Sequence, residues 1–426
     1  MKYVYLFLLP IFLWGNLDHA TIAAYAVNTK TGTVVLQLDE NRSMIPASCL
    51  KVVTTAAALH LLGPEFRFKT ELVTQGEIKN GVLHGNLIIR GGGDPCLGSE
   101  RVKSAFAWDR QIEKWKEAID SQGIHEIRGK VIGDASLWEK AQAAPSWLWE
   151  DLGNYYGAGA SALTFHENMY TLTFKPGKEV GAAAILDRVF PVMPQLCVHT
   201  EVVTGPVGSG DGTCIYGSEY NLEQVVRGTV PAGVEEFSIK GSVPDPAQFC
   251  SSLLKEALVK QGIKVGGESL DGQEVVIQTT ISPPVEEIIY WVNQVSHNLF
   301  AEHLLKAMGG GRTDQGIKAL HKLGKREGID LQGMQMVDGS GLSRKNFMTP
   351  KQLTTILMKM QSSPHFTSFF ASFPEKYPGV RAKDGLMSST VSLAGYKGDV
   401  VFTIFINNGS STKEMKEKIA ELLSKF

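Results

Sequence analysis

The chain has almost no net charge: 42 Lys and Arg stand against 44 Asp and Glu over 426 residues, with no clustered basic stripe. A protein that grips nucleic acid by neutralising phosphates needs such an excess, so a nucleic-acid partner is excluded. Cysteine is scarce as well. Cys49, Cys96, Cys197, Cys214 and Cys250 include no Cys-x-x-Cys pair, and no His-rich spacing accompanies them, so neither a metal site nor any other cofactor is expected. Five is an odd number, and at least one thiol stays unpaired. Beyond the N-terminus no segment approaches the roughly 20 apolar residues that span a bilayer. Internal repeats and low-complexity segments are absent too.

What is present describes a folded, multidomain chain. A hydrophobic content of 43% argues against disorder. The 44 Gly and 18 Pro suit a loop-rich α/β or α+β protein better than a helical bundle. At roughly 100–200 residues per domain, the length suggests two or three domains.

Lys2 precedes an apolar run, Tyr3 to Trp14, and a short polar stretch, Gly15 to His19, leads to Ala20. This is the layout of a secretory signal peptide over residues 1–20, which places the mature protein in the periplasm or cell envelope. Asp18 makes a poor cleavage site, so an uncleaved leader giving loose membrane association is the alternative. Export permits disulfides. Cys197 and Cys214 lie in a Gly-rich stretch and are the candidate staple, whereas Cys49 and Cys250 fall in helical patterns and read as small buried hydrophobes.

Ile22–Val27 and Thr33–Leu38 read as a hairpin. Pro46-Ala47-Ser48 opens an Ala-rich helix that runs to Leu62 and stops at Gly63-Pro64; it is apolar on nearly every face and is expected to be central and buried. Short strands follow from Arg67 to about Arg90, then a helix with the stripe Trp108, Ile112, Trp115 and Ile119. Strand and loop dominate from Lys130 to about Gly241, and a further helix ends at Gly262. Helical patterning returns over Val285–Met308, Asp314–Arg326 and Pro350–Gln361. Strands at Val391–Gly395 and Val400–Ile406 precede a last helix carrying Met415, Ile419 and Leu422.

Three short elements carry chemistry. In Ser48-Cys49-Leu50-Lys51, i and i+3 spacing puts the hydroxyl and the amine on one helix face. An apolar setting lowers a lysine pKa, so Lys51 could act as base toward Ser48 beside the positive helix N-terminus. In Ser296-His297-Asn298 a hydroxyl can relay a proton and an amide can hold a substrate amide; read alone, Ser296 suits a helix N-cap. In Lys383-Asp384-Gly385 a lysine can attract a substrate carboxylate and a glycine admits close backbone approach; read alone, it is a surface turn.

In this order the elements resemble the motif set of the active-serine penicillin-recognising enzymes. The 248 positions between Ser48 and Ser296 (296 − 48) exceed what a compact β-lactamase needs. Together with Gly93-Asp94-Pro95 and the run Asp338-Gly339-Ser340-Gly341-Leu342-Ser343-Arg344, the chain resembles class C low-molecular-mass penicillin-binding proteins. These are D-alanyl-D-alanine carboxypeptidase/endopeptidases of the penicillin-binding protein 4 type. The resemblance implies an α+β (α/β sandwich) fold. Its β-lactamase/transpeptidase-like domain, an antiparallel sheet flanked by helices, is split over 21–66 and 272–426 around two nested, β-rich inserted domains in 67–271.

It also implies roles. Ser48 is acylated, Lys51 is the base, Ser296 and Asn298 serve the proton relay and substrate amide, and Lys383 steers the terminal carboxylate. The oxyanion hole is the backbone N–H of Ser48 and of Leu386. Asp384, Gly385 and Asp134 are substrate-binding candidates, with Asp134 either taking a diamino acid side chain or serving structure. The partners implied are peptidoglycan stem peptides and, as acylating inhibitors, β-lactams. Two departures stand out. Asp384 occupies a position where Thr or Ser is usual, and an ionised carboxylate there repels a substrate carboxylate or pairs with Lys383. The stretch between Phe373 and Gly379 is short where relatives carry a longer loop. The expected activity is a serine DD-peptidase; the alternatives are a catalytically weakened wall-peptide binding protein and a β-lactamase.

Overall fold

The computed structural model describes residues 17–268 and 270–426. The apolar run of the expected signal peptide lies outside them. Within them, no helix is long and apolar enough to cross a membrane.

Both ends of the chain build one sheet. Strands β1 (Thr21–Asn28) and β2 (Val34–Leu38) join β3 (Glu375–Tyr377), β4 (Val380–Met387), β5 (Thr390–Lys397) and β6 (Val400–Asn407). The order is β3-β4-β5-β6-β1-β2, antiparallel throughout. Strand β6, Val-Val-Phe-Thr-Ile-Phe-Ile-Asn, is buried along its whole length because both faces of the sheet are covered. Helices α1 (Leu50–Leu61), α2 (Val285–Gln294), α3 (Asn298–Met308), α4 (Thr313–Arg326), α5 (Pro350–Gln361) and α6 (Phe366–Ala371) share one core with Ala394, Tyr396, Val401 and Phe405. Helix α7 (Thr412–Leu423) closes the other face through Met415, Ile419 and Leu422. This is the helix–sheet–helix sandwich expected from the sequence.

Helix α1 is the axis of that core. Leu50 to Leu59 are all buried, and Leu50, Val52, Val53 and Leu59 each stabilise by about 1.5–3 kcal/mol on burial. Lys383-Asp384-Gly385 precedes the strand that leads to Gly395, as expected, but is itself part of a strand, β4, which a tight turn at Ser388 and Ser389 joins to β5. The polar Arg381, Lys383 and Asp384 hide that strand from a hydrophobicity reading.

Among the described residues, the inserted part contains three sheets. One is built from Lys69–Lys79, Val82–Arg90, Glu126–Ile127, Lys264–Val265 and Glu274–Ile281, with Val131–Asp134 alongside. Met169–Lys175, Ile185–Phe190 and Phe237–Ser242 form the second, and Cys197–Gly205, Gly212–Ser218 and Asn221–Pro231 the third. A single apolar core, including Leu72, Trp115, Phe165, Leu172, Ile215, Val226 and Phe249, runs through all three. The expected return to the catalytic part at residue 272 comes too early, since Glu274–Ile281 pairs antiparallel with Lys69–Lys79. The crossing lies at Ser282, whose amide donates to Phe68 O and whose Oγ accepts from Phe68 N–H. That edge strand is largely exposed, and its apolar residues Val275, Val276, Ile277 and Ile281 do not alternate with polar ones.

The candidate disulfide does not form: all five cysteines are free. Cys197 aligns with Glu223 and Cys214 with Arg227 on opposite flanks of strand Asn221–Pro231. Two strand spacings and four residues of rise separate their Cα atoms by roughly 16 Å, far beyond disulfide reach. Cys49 and Cys250 are buried, as small hydrophobes should be. The denatured protein is therefore expected to titrate five thiols without reductant. Three or fewer, or a mobility shift on reduction, would contradict the arrangement.

Candidate active site

The segment before Ser48 is pinned to the sheet. Asn407 accepts from the Ile45 amide through Oδ1 at 2.8 Å and donates to Ile45 O at 3.1 Å. Ser392 Oγ donates to Pro46 O at 2.6 Å, and Cys49 Sγ to Lys383 O at 3.1 Å. Ala47, held at φ 46°, turns the chain sharply into the 3-10 turn Ala47–Cys49 that leads into α1. A non-glycine residue in that region costs on the order of 1–3 kcal/mol, which the bracing hydrogen bonds offset. The turn leaves Ser48 partly exposed at the head of an otherwise buried helix.

Lys51 is fully buried. Its Nζ lies 3.0 Å from Ser48 Oγ, 2.6 Å from Asn298 Oδ1 and 2.7 Å from Ser340 O. Burial, then the nearby Lys383 charge, lowers its pKa from 10.5 to about 7. An ammonium ion supplies three donors, one for each acceptor. In the neutral amine two N–H groups stay on Asn298 Oδ1 and Ser340 O. The lone pair is then left for the Ser48 O–H, which is the geometry of a base about to take that proton.

Both carbonyl partners of Lys51 are themselves fixed. Asn298 Nδ2 donates to Tyr156 O at 2.7 Å. The Ser340 carbonyl sits in the run Asp338–Arg344, which wraps around two buried carboxylates. Asp338 Oδ1 accepts from the Gly341 amide and from Asn346 Nδ2, both at 2.8 Å, and Oδ2 from the Ser343 amide at 2.6 Å and Trp147 Nε1 at 2.9 Å. Glu302 accepts from the amides of Gly339 and Ser340 at 3.0 and 2.7 Å. Burial raises the pKa of both acids; the Asp338 charge raises that of Glu302 further, whereas at Asp338 the hydrogen bonds from Trp147, Ser343, Gly341 and Asn346 oppose the shift. Residue-by-residue reading singled out this run but missed Glu302; its place at i+4 from Asn298 on α3 was the available signal.

Ser296 is not the N-cap. It takes φ 61° in the break between α2 and α3, and His297 caps α3 by accepting from the Phe300 amide. Ser48, Ser296, Asn298 and Leu386 line one cleft of about 930 Å³. Lys383 is wholly buried on β4 beside it; burial lowers its pKa, and Asp384 opposes that shift most strongly. The Cβ absent from Gly385 would stand 2.8 Å from the Ser48 nitrogen and 2.9 Å from Ala47 Cβ, so only glycine lets β4 close on the Ser48 amide. Short β3 pairs only with Val380 and Arg381, leaving the β4 edge unpaired from Lys383 onward among the described residues.

Asp384 alternates to the face opposite Lys383 and Gly385, at that edge. Lys376 Nζ at 3.0 Å and Lys383 Nζ at 3.2 Å meet its Oδ1. Burial favours its neutral form, but the charges of Lys383 and Lys376 win and hold the carboxyl at about 2. Asp134 stands elsewhere: it lines a separate cleft and pairs with Arg90 at 3.1 Å.

A hydroxyl facing a buried, half-neutral lysine at the head of a helix, beside an open strand edge, belongs to the active-serine acyl-transfer class of proteins. The chain belongs to the D-Ala-D-Ala carboxypeptidase 3 (S13) family, whose model matches residues 11–375. It is 28% identical to a D-alanyl-D-alanine carboxypeptidase of Actinomadura over 93% of this chain and 79% of that protein. A Haemophilus influenzae counterpart is 23% identical over 94% of this chain and 88% of its own length. The crystal structure of penicillin-binding protein 4 from H. influenzae shares the fold at a TM-score of 0.78 and 23% identity, covering 92% of both chains. The same protein complexed with a β-lactam gives 0.73 at 22% identity, over 92% of this chain and 91% of that one.

Proposed function

We propose that this chain is a serine DD-peptidase that cleaves D-Ala-D-Ala termini or peptide cross-links of peptidoglycan through an ester on Ser48. The carrying observation is Lys51 Nζ, buried, 3.0 Å from Ser48 Oγ and fixed by two carbonyl acceptors. Lys51 takes the hydroxyl proton as Ser48 Oγ attacks the scissile carbonyl. The amides of Ser48 and Leu386 receive the oxyanion, a role supported by the close approach that Gly385 permits. Ser296, in the cleft wall, relays the proton to the leaving amine, and Asn298 orients both Lys51 and the substrate amide. Lys383 supplies positive potential for the terminal carboxylate. Water then hydrolyses the ester. β-Lactams would enter the same cleft and acylate the same serine. The leader at residues 1–20 delivers the enzyme to the periplasm or cell envelope, with loose membrane association where it stays uncleaved.

Incubation with a labelled penicillin tests this reading: wild type should carry one covalent label on Ser48, and Ser48→Ala none. A wild type without label removes the nucleophile assignment.

The Asp384 ion pairs favour a second reading, in which acylation survives but turnover is weak and the protein serves mainly to bind wall peptides. Both lysines neutralise an aspartate here instead of a substrate carboxylate. Replacing Asp384 by Thr is then expected to lower KM for a wall pentapeptide several-fold and raise D-Ala release, as judged against charge-pair energies of about 1 kcal/mol. Unchanged kinetics would show that these lysines are not withheld from substrate.

A further inference from the structure

His166, Glu167 and Asn168 take φ of 52°, 54° and 49°, three successive non-glycine residues in the left-handed region. Asn and His visit that region more readily than most residues; Glu does not. The turn is imposed by its surroundings. Asn168 Oδ1 accepts from the Phe165 amide at 3.1 Å, Asn168 Nδ2 donates to Gly159 O at 2.9 Å, and the His166 amide donates to Leu97 O at 3.0 Å.

The result is that Glu167 is delivered, almost wholly buried, from the inserted part onto the Ser296–Asn298 loop. Its Oε2 lies 2.9 Å from His297 Nε2, while Oε1 accepts from Ser99 Oγ at 2.6 Å and faces Arg101 Nε at 3.4 Å. His297 Nδ1 accepts from the Phe300 amide, so the proton of a neutral ring sits on Nε2 and is donated to Glu167. The same ring stacks on Phe300 with centroids 4.0 Å apart. His297 is thereby clamped on three sides, and its two chain neighbours are Ser296, strained at φ 61°, and Asn298, which holds Lys51.

We propose that Glu167 is a positioning residue for acylation: acting through His297, it holds the Ser296–Asn298 loop in register with Lys51. This rests on the reading of Ser48 and Lys51 given above. Glu167 touches neither Ser48 nor Lys51, so its influence has to travel through the imidazole.

A double-mutant cycle read by saturation kinetics of penicillin labelling tests the route. Glu167→Ala should lower the limiting acylation rate by about 10- to 100-fold while leaving the dissociation constant of the preceding complex nearly unchanged. His297→Ala should cause a similar loss. Combining the two should cost no more than either alone, because the path is already cut. Glu167→Gln keeps an acceptor for His297 and should recover most of the rate; it also serves if Glu167→Ala fails to fold. A wild-type limiting rate in Glu167→Ala, or losses that multiply in the double variant, would overturn the proposal. These outcomes are separable from failure of the underlying reading, which shows as an unlabelled wild type or a labelled Ser48→Ala.

Discussion

Replacing Lys51 by Met should leave a folded protein that acylates about 10²- to 10⁴-fold more slowly than wild type, the range lost with a positioned general base. Met is unbranched and only one heavy atom shorter; removing a buried ammonium ion offsets part of the cost of leaving Asn298 Oδ1 and Ser340 O without their donor, so the stability loss should stay within about 1–3 kcal/mol. Substituting Arg would be worse than conservative, since a guanidinium does not give up its proton. The pH profile supplies the sharper check. Because Lys51 is pulled down to about 7, its neutral, proton-accepting form grows as pH rises through that value. Acylation should therefore climb between about pH 6 and 8 and then level off, each unit below the pKa costing about tenfold. In Lys51→Met that limb should vanish. A wild-type rate that is flat from pH 6 to 8 would exclude Lys51 as the titrating base.

The second large effect concerns Asp338. Its carboxylate takes two N–H donors on each oxygen, and an isosteric Asn can accept on only one. Asp338→Asn would turn its NH₂ group toward two donors and lose both contacts. Hydrogen bonds to a charged group contribute about 1.5–3 kcal/mol each, and removing a buried charge returns part of that, leaving a net loss of about 3 kcal/mol. The loop from Asp338 to Arg344 would slacken, and with it the Ser340 carbonyl that fixes Lys51. The urea concentration at which penicillin labelling is half lost should fall well below that of wild type. Equal midpoints would mean that Glu302 alone holds the loop.

Much of this was legible in the chain. The uniformly apolar face pattern around Lys51 announced a buried lysine, and a Ser three positions earlier announced its partner. Gly385 was marked by the need for close approach, and the packing supplies the reason: an added Cβ would lie 2.3 Å from Ser392 Oγ and 2.8 Å from Ser48 N. The distribution of motifs between the two ends also indicated one sheet closed from both. What remained hidden depends on tertiary contact. Asn298 reads as a substrate ligand from its chemistry, yet its carbonyl faces Lys51 because the break at Ser296 tips α3 toward α1. Asp384 reads as an intruder in the cleft, but strand alternation turns it outward to Lys376, which no local pattern pairs with it. The Glu274–Ile281 strand shows no apolar alternation because it lies on an exposed edge, so composition could not assign it to the insertion.

The pairing of β1 with β6 joins Thr21 to Asn407, residues separated by 386 positions (407 − 21). Such long-range contacts are slow to form, because chain closure precedes any reward from pairing. During synthesis from the N-terminus, the hairpin of β1 and β2 and the helix bearing Ser48 emerge first and must wait for nearly the whole chain before their sheet can exist. The inserted body, complete once residue 281 has appeared, folds in the interval. The nucleophile therefore stays without its oxyanion strand until the last strands arrive, and the protein becomes reactive only at the end of its own assembly.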